Sequence, residues 1–257
     1  MAMSKLVERA REYVFEFFNA DPEVYDVIFT PNASGALKTV GEAFPFVEGS
    51  RYLLLSDNHN SVNGIREFAK SKGAKVTYSK TKLPELRIDS EELRTELSNV
   101  DTSVPNLFAY PAQSNFTGVQ HDLKWIAEAQ KLGWSVLLDA AAFVPSNRLD
   151  LSEVQPDFVP VSFYKMFGFP TGIGALILKR EAYPKMQRPW FAGGTISITS
   201  TLNGGHHYLH EDHAAYEDGT INFLSIPLVK IGLKHIERAG LDLIHERVVC
   251  LTGWLLR

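Results

Sequence analysis

The stretch Val161-Ser-Phe-Tyr-Lys-Met-Phe-Gly-Phe-Pro-Thr-Gly172 decides the reading of this chain. A strand-like segment, Asp157 to Val161, delivers Lys165 into a turn rich in glycine and proline. Upstream, the apolar run Ser135-Val-Leu-Leu-Asp139 ends in an aspartate followed by three alanines. A lysine able to form an imine, with a carboxylate held on a neighbouring strand end, is the pair that pyridoxal phosphate (PLP) chemistry requires.

Working outward, apolar strands alternate with helical patterns. Residues 4–19 carry Leu6, Val7, Ala10, Val14, Phe17 and Phe18 at helical spacing. Strands are predicted at Asp26–Thr30, Arg51–Ser56, Ala74–Tyr78, Asn106–Tyr110, Ser135–Leu138, Phe158–Val161 and Gly174–Leu178. Between them, helices run from Gly35 to about Phe46, from Ser61 to about Lys72, and over Asp89–Leu97 and Asp122–Leu132. Glu181–Gln187 also reads as helix, and two helices, Asn222–Arg238 and Leu241–Arg257, close the chain. Short, continuously apolar strands separated by helices predict an α/β fold, a mostly parallel sheet covered on both faces. The organisation expected is one large domain over 1–257. It has a leading helix at about 1–20, a core at 21–205, and a loop with closing helices at 206–257.

Composition narrows the function classes. The 257 residues are 45% hydrophobic and 22% charged, as in a globular protein with a sizeable core. A formal net charge of −4 argues against nucleic acid as a partner. No run approaches the roughly 18 apolar residues that span a bilayer, so no membrane partner is expected. The amino end reads as helix rather than signal peptide, and the single cysteine, Cys250, forms no internal disulfide. A cytoplasmic location is the expectation.

Ligands of open α/β sheets gather at the carboxyl ends of the strands, and four such ends here carry polar groups suited to one cofactor. Asn32-Ala-Ser-Gly35 lies between strand and helix, where amide N–H groups and the helix dipole favour a phosphate, and Ser34 adds a hydroxyl. The ring of His59 is placed to stack on a pyridine. Asn115 can donate to a ring oxygen. Asp139 can pair with the ring nitrogen and keep it protonated, and Lys165 would hold the cofactor and shuttle protons.

The motifs Asp57-Asn-His-Asn-Ser-Val62, Pro111-Ala-Gln-Ser-Asn-Phe-Thr-Gly118, Leu137-Leu-Asp-Ala-Ala141 and Ser162-Phe-Tyr-Lys-Met-Phe-Gly-Phe-Pro-Thr-Gly172 occur in order. Phe191-Ala-Gly-Gly-Thr195 and Tyr216-Glu-Asp-Gly-Thr-Ile-Asn-Phe223 continue the series. On these residues the chain resembles the class V aminotransferase group of PLP enzymes, which includes the cysteine desulfurases. Within the group it is similar to the amino-terminal domain of molybdenum cofactor sulfurases. The resemblance implies the large domain of PLP-dependent transferase fold type I, with a sheet of seven-stranded type. It also implies Lys165 and His59 as catalytic residues, with Asp139 and Asn115 on the cofactor ring. Ala33, Ser34, Ser162 and Tyr164 would surround its phosphate. Thr220 would reach the phosphate of a partner subunit, which implies a homodimer. The implied reaction takes sulfur from L-cysteine, leaving alanine and a persulfide, and passes it to the molybdenum cofactor. Another class V reaction, a C–S lyase or an aminotransferase, stays open, as does a non-catalytic remnant.

Two positions depart from the desulfurase pattern. Ala142 stands where a glutamine is common, and Tyr164 where a histidine precedes the lysine. The persulfide cysteine and the substrate-carboxylate arginine of the resembled family lie in a small carboxyl-terminal domain, apparently missing here. Cys250, among Leu243, Ile244, Val248, Leu251 and Trp254, is expected to be a buried core residue. The run Gly204-Gly-His-His-Tyr-Leu-His-Glu-Asp-His213 has the density of a metal site, but is expected to be a solvated active-site loop, with no metal.

Overall fold

A computed structural model describes residues 2–202 and 205–257. Met1 and Gly204, the latter opening the histidine-rich run, lie outside the described residues. Seven strands form the main sheet: β1 (Tyr25–Thr30), β2 (Arg51–Leu55), β3 (Lys75–Ser79), β4 (Leu107–Pro111), β5 (Ser135–Asp139), β6 (Phe158–Ser162) and β7 (Gly174–Lys179). Their order is β1-β7-β6-β5-β4-β2-β3. Strands β6, β5, β4, β2 and β3 pair in parallel; β7 is antiparallel to both neighbours, so β1 points with the majority. This is the mostly parallel, helix-covered sheet of the PLP-dependent fold type I.

Each strand feeds both faces, because successive side chains alternate. Val27, Phe29, Leu53, Leu55, Phe108 and Tyr110 enter one apolar layer, beneath α1 (Ala2–Phe17). Ile28, Tyr52, Leu54, Leu107 and Ala109 enter the other, beneath α2 (Ala33–Ala43). Burial on both faces explains why these strands read as unbroken apolar runs rather than as alternating ones.

The remaining elements differ from expectation where a local constraint overrides periodicity. The helix expected from Ser61 to Lys72 is split at Gly64 into α3 (Asn60–Asn63) and α4 (Ile65–Ser71). Helix α5 (Ser90–Ser98) is capped by Asp89, whose carboxylate accepts the N–H groups of Glu91 and Glu92. Helix α6 is Lys124–Lys131. Lys165 lies on a short helix, α7 (Phe163–Phe167), and not in the turn that follows. Gly168, at φ +84°, ends that helix with a backbone that side-chain-bearing residues avoid. Arg180–Lys185 winds as a 3₁₀ helix containing Pro184, in place of the α-helix expected over 181–187. Helix α8 starts at Pro227 and runs to Ala239, because proline tolerates only the first turn; the Asn222 carboxamide instead accepts the Ser225 N–H in a turn. Helix α9 is Leu241–Leu255. Two short antiparallel pairs, Thr81–Lys82 with Arg87–Ile88 and Ile196–Thr199 with His207–Leu209, escaped the periodicity reading because a few residues carry no period.

Cys250 is a clear correction: it is exposed. Leu241 is the one buried residue of α9, and Trp254 is 76% exposed. Helical spacing shows which residues share a face; whether anything covers that face is a tertiary matter. Among the described residues no helix is long and apolar enough to cross a membrane.

The reversal of β7 positions the site. Its first residue, Gly174, pairs with Thr30 at the end of β1 and with Ser162 at the end of β6. A Cβ on Gly174 would lie 2.6 Å from the Asn32 carbonyl carbon and 2.7 Å from the Val161 oxygen. Both neighbours are backbone and cannot swing away. Gly174→Ala is therefore expected to destabilise the chain by about 1–3 kcal/mol, read by chemical denaturation.

Candidate active site

At the carboxyl edge of the sheet, the ends of β1, β2, β4, β5 and β6 open into one cleft of about 240 Å³. It is lined by Ala33, Ser34, His59, Asn115, Asp139, Ser162, Tyr164 and Lys165, eight of the nine residues singled out from sequence. The ninth, Thr220, lies apart. It lines a separate cavity of about 420 Å³ with Thr30, Lys38 and Glu42.

Helix α2 begins at the cleft. Asn32 caps it, its side-chain oxygen accepting the Gly35 N–H at 2.9 Å, while its carbonyl takes the Ala36 N–H. The N–H groups of Ala33 and Ser34 are left without intrahelical acceptors, facing the positive end of the helix dipole. Ser34 Oγ lies 2.6 Å from Ser61 Oγ. Ser61 was quoted in the sequence motif but given no role, since its proximity to Ser34 arises only from packing α3 beside α2.

His59 caps α3, its Nδ1 accepting the Ser61 N–H at 3.1 Å. With Nδ1 occupied as acceptor, a neutral ring carries its proton on Nε2. Lys165 Nζ donates to Asn115 Oδ1 at 2.8 Å, which joins α7 to the loop after β4 and leaves the Asn115 amide nitrogen free to donate.

Asp139 is the buried group of the cleft. Its Oδ1 accepts the Ala141 N–H at 3.1 Å. Burial pushes its carboxyl up from the ordinary carboxylate range; the Ala141 N–H, Lys165 and His59 pull it down by less. The carboxylate thus sits where a cationic partner would gain most.

These residues fit PLP. A buried carboxylate short of a counter-ion suits a protonated pyridine nitrogen, the α2 amides and Ser34 suit a phosphate, and the primary amine of Lys165 lines the same cleft. The histidines of the 205–213 stretch have other tasks. His207 belongs to a short strand, and His213 donates its backbone N–H to the buried Asp26 carboxylate. Among the described residues no cluster of three or more His, Cys, Asp or Glu is arranged to hold a metal.

The chain is similar to known proteins. The model of the aminotransferase class-V family matches residues 1–257. A molybdenum cofactor sulfurase from Homo sapiens is 42% identical over 96% of this chain and 30% of its own length. One from Arabidopsis thaliana is 34% identical over 91% of this chain and 32% of its own. This chain therefore spans about a third of the length of these relatives. Among solved structures, a cysteine desulfurase from Thermococcus onnurineus NA1 superposes with a TM-score of 0.83 at 25% identity, over 93% of this chain and 58% of that one. A cysteine desulfurase from Escherichia coli shares the fold with a TM-score of 0.79 at 23% identity, over 94% of this chain and 59% of that one.

The buried carboxylate has a measurable consequence. Because the Asp139 pKa is raised in the fold, ionisation costs folding energy at neutral pH, and the cost vanishes below the unfolded carboxylate pKa of about 3.9. Asp139→Asn is expected to stabilise the cofactor-free chain at pH 7, with a gain that shrinks as pH falls. Urea denaturation of both proteins across that range measures the difference.

Proposed function

We propose that this chain, which belongs to the aminotransferase class-V family, is the PLP-binding part of a cysteine desulfurase-type enzyme that supplies sulfur to the molybdenum cofactor. The carrying observation is the convergence of Lys165, the buried Asp139 and the amide end of α2 in one cleft. The identity to molybdenum cofactor sulfurases over nearly the whole chain supports the choice of L-cysteine as substrate and of the acceptor.

PLP bound in this cleft supplies an electron sink for bonds at the α-carbon of an amino acid. The residues set up that chemistry. Asp139 holds a proton on the pyridine nitrogen and gains the counter-ion its burial calls for. His59, held by the Ser61 N–H, would cover a ring face. The Asn115 amide nitrogen would donate to the ring hydroxyl oxygen, while its Oδ1 steadies Lys165 Nζ at 2.8 Å. The amides of Ala33 and Ser34, with the side chains of Ser34, Ser162 and Tyr164, receive the phosphate. Lys165 would anchor the cofactor through its amine, and that amine could move a proton at the substrate α-carbon.

Thr220 completes the phosphate site of a second copy, so the working unit is a homodimer. Its position outside its own cleft supports this assignment. Desulfuration also needs a thiolate to accept the sulfur. Cys250 is exposed on α9 and is not among the residues lining the cleft, so the acceptor is assigned to another thiol.

Incubation with PLP, L-cysteine and an added small thiol tests the reading. Alanine is expected as product, with a visible absorbance band on cofactor binding. Lys165→Ala is expected to lose both, and Cys250→Ser to retain both. Pyruvate and ammonia in place of alanine would identify a lyase, and absence of any band with added PLP would defeat the enzyme reading.

A further inference from the structure

Two loops carry His59 and Asn115 to the cleft, and their fixed spacing has a buried cause. His59 follows β2 in the turn that begins at Asp57; Asn115 follows β4 in a loop that closes at His121. His121 Nε2 lies 2.8 Å from Asp57 Oδ2, with the two side chains 1% and 9% exposed. The His121 backbone N–H bonds the Ala112 carbonyl at 3.0 Å, so His121 sits at the neck of the Asn115 loop. The His59 turn is also tied to strand β4 by Asn58 Nδ2, which donates to Ala109 O at 3.0 Å, and to the Asn115 loop by Ser114 Oγ, which approaches Asp57 O at 3.4 Å. Asp57 and His121 do not line the cleft.

This pair is an inefficient way to gain stability. Asp57 Oδ1 is buried with no partner among the described residues, and an unpaired buried oxygen is costly. The bond to Oδ2 returns a comparable amount, so the net gain is small. What the pair does provide is a directional, water-shielded link between two segments of otherwise irregular backbone. Unpartnered buried polar atoms are uncommon and recur at functional sites.

We infer that Asp57 and His121 are positioning residues of the cofactor site, their buried hydrogen bond locking the His59 turn to the Asn115 loop. The inference rests on the PLP reading above for its purpose, and on the geometry alone for the coupling. With the bond in place, the stacking ring and the Lys165 partner keep one spacing. Without it, only the Asn58 and Ser114 contacts still tie the two segments, their coupling weakens, and the Lys165–Asn115 contact loosens.

The test compares the unaltered chain with His121→Ala and His121→Gln, whose amide N–H can still reach Asp57. PLP is titrated and followed by visible absorbance, and amide hydrogen exchange is measured on the cofactor-free chain. His121→Ala is expected to weaken PLP binding about tenfold and to displace the absorbance maximum. It should also raise exchange over 56–62 and 112–121 together. His121→Gln should restore all three. Unchanged affinity and spectrum in His121→Ala, or faster exchange in only one loop or in neither, would overturn the inference. If the unaltered chain binds no PLP, the cofactor reading fails, and the exchange measurement alone decides the coupling. Should His121→Ala not fold, His121→Asn, whose amide falls short of Asp57, takes its place.

Discussion

The backbone of Asn32 rests on Gly174, and the site is built around that approach. Strand β7 runs against the rest of the sheet, so its first residue meets the ends of β1 and β6 at the ligand-binding edge. The chain can therefore leave β6, carry Lys165 along α7, turn through Gly168 and Gly172, and come back beneath the start of α2. The amine and the amide end of α2 become neighbours although they are far apart in sequence. A side chain at Gly174 would push against main chain on both sides, and interiors packed to crystal-like density transmit such displacements.

Electrostatics then sorts the residues of the cleft. Asp139 is buried and its carboxyl is pushed upward, while the lysine, the histidine and the helix end stand at the open side. The result is a cleft whose floor seeks a cation and whose rim seeks an anion. A zwitterionic aromatic cofactor satisfies both, which is why the same cleft suits PLP better than a simple phosphate or a metal ion.

Much of this was legible in the sequence. Asp139, Lys165, His59, Asn115 and Ser34 each sit just beyond an apolar strand, and a run of residues buried on both faces is a strong signal. The parallel sheet followed from the same runs. Less legible were features set by meetings between distant segments. Ser61 gains its place only when α3 packs beside α2. The bond between Asp57 and His121 joins residues whose types, read singly, suggest an ordinary turn and a loop histidine. Cys250 shows the opposite error: its apolar neighbours suggested a core, yet Leu241 is the one buried residue of α9 and Cys250 is exposed.

The sequence by itself determined the succession of strands and helices and the polar residue that follows each strand, because periodicity and turn chemistry are local properties. Only the tertiary structure decided that Lys165 rides a helix rather than a turn, and that Thr220 faces a cavity other than the cofactor cleft. It alone buried Asp139 on the floor of the cleft. The physical reason is common to all three. Burial, close approach and shielding from solvent are relations between segments brought together by the sheet order, and no window of adjacent residues contains them.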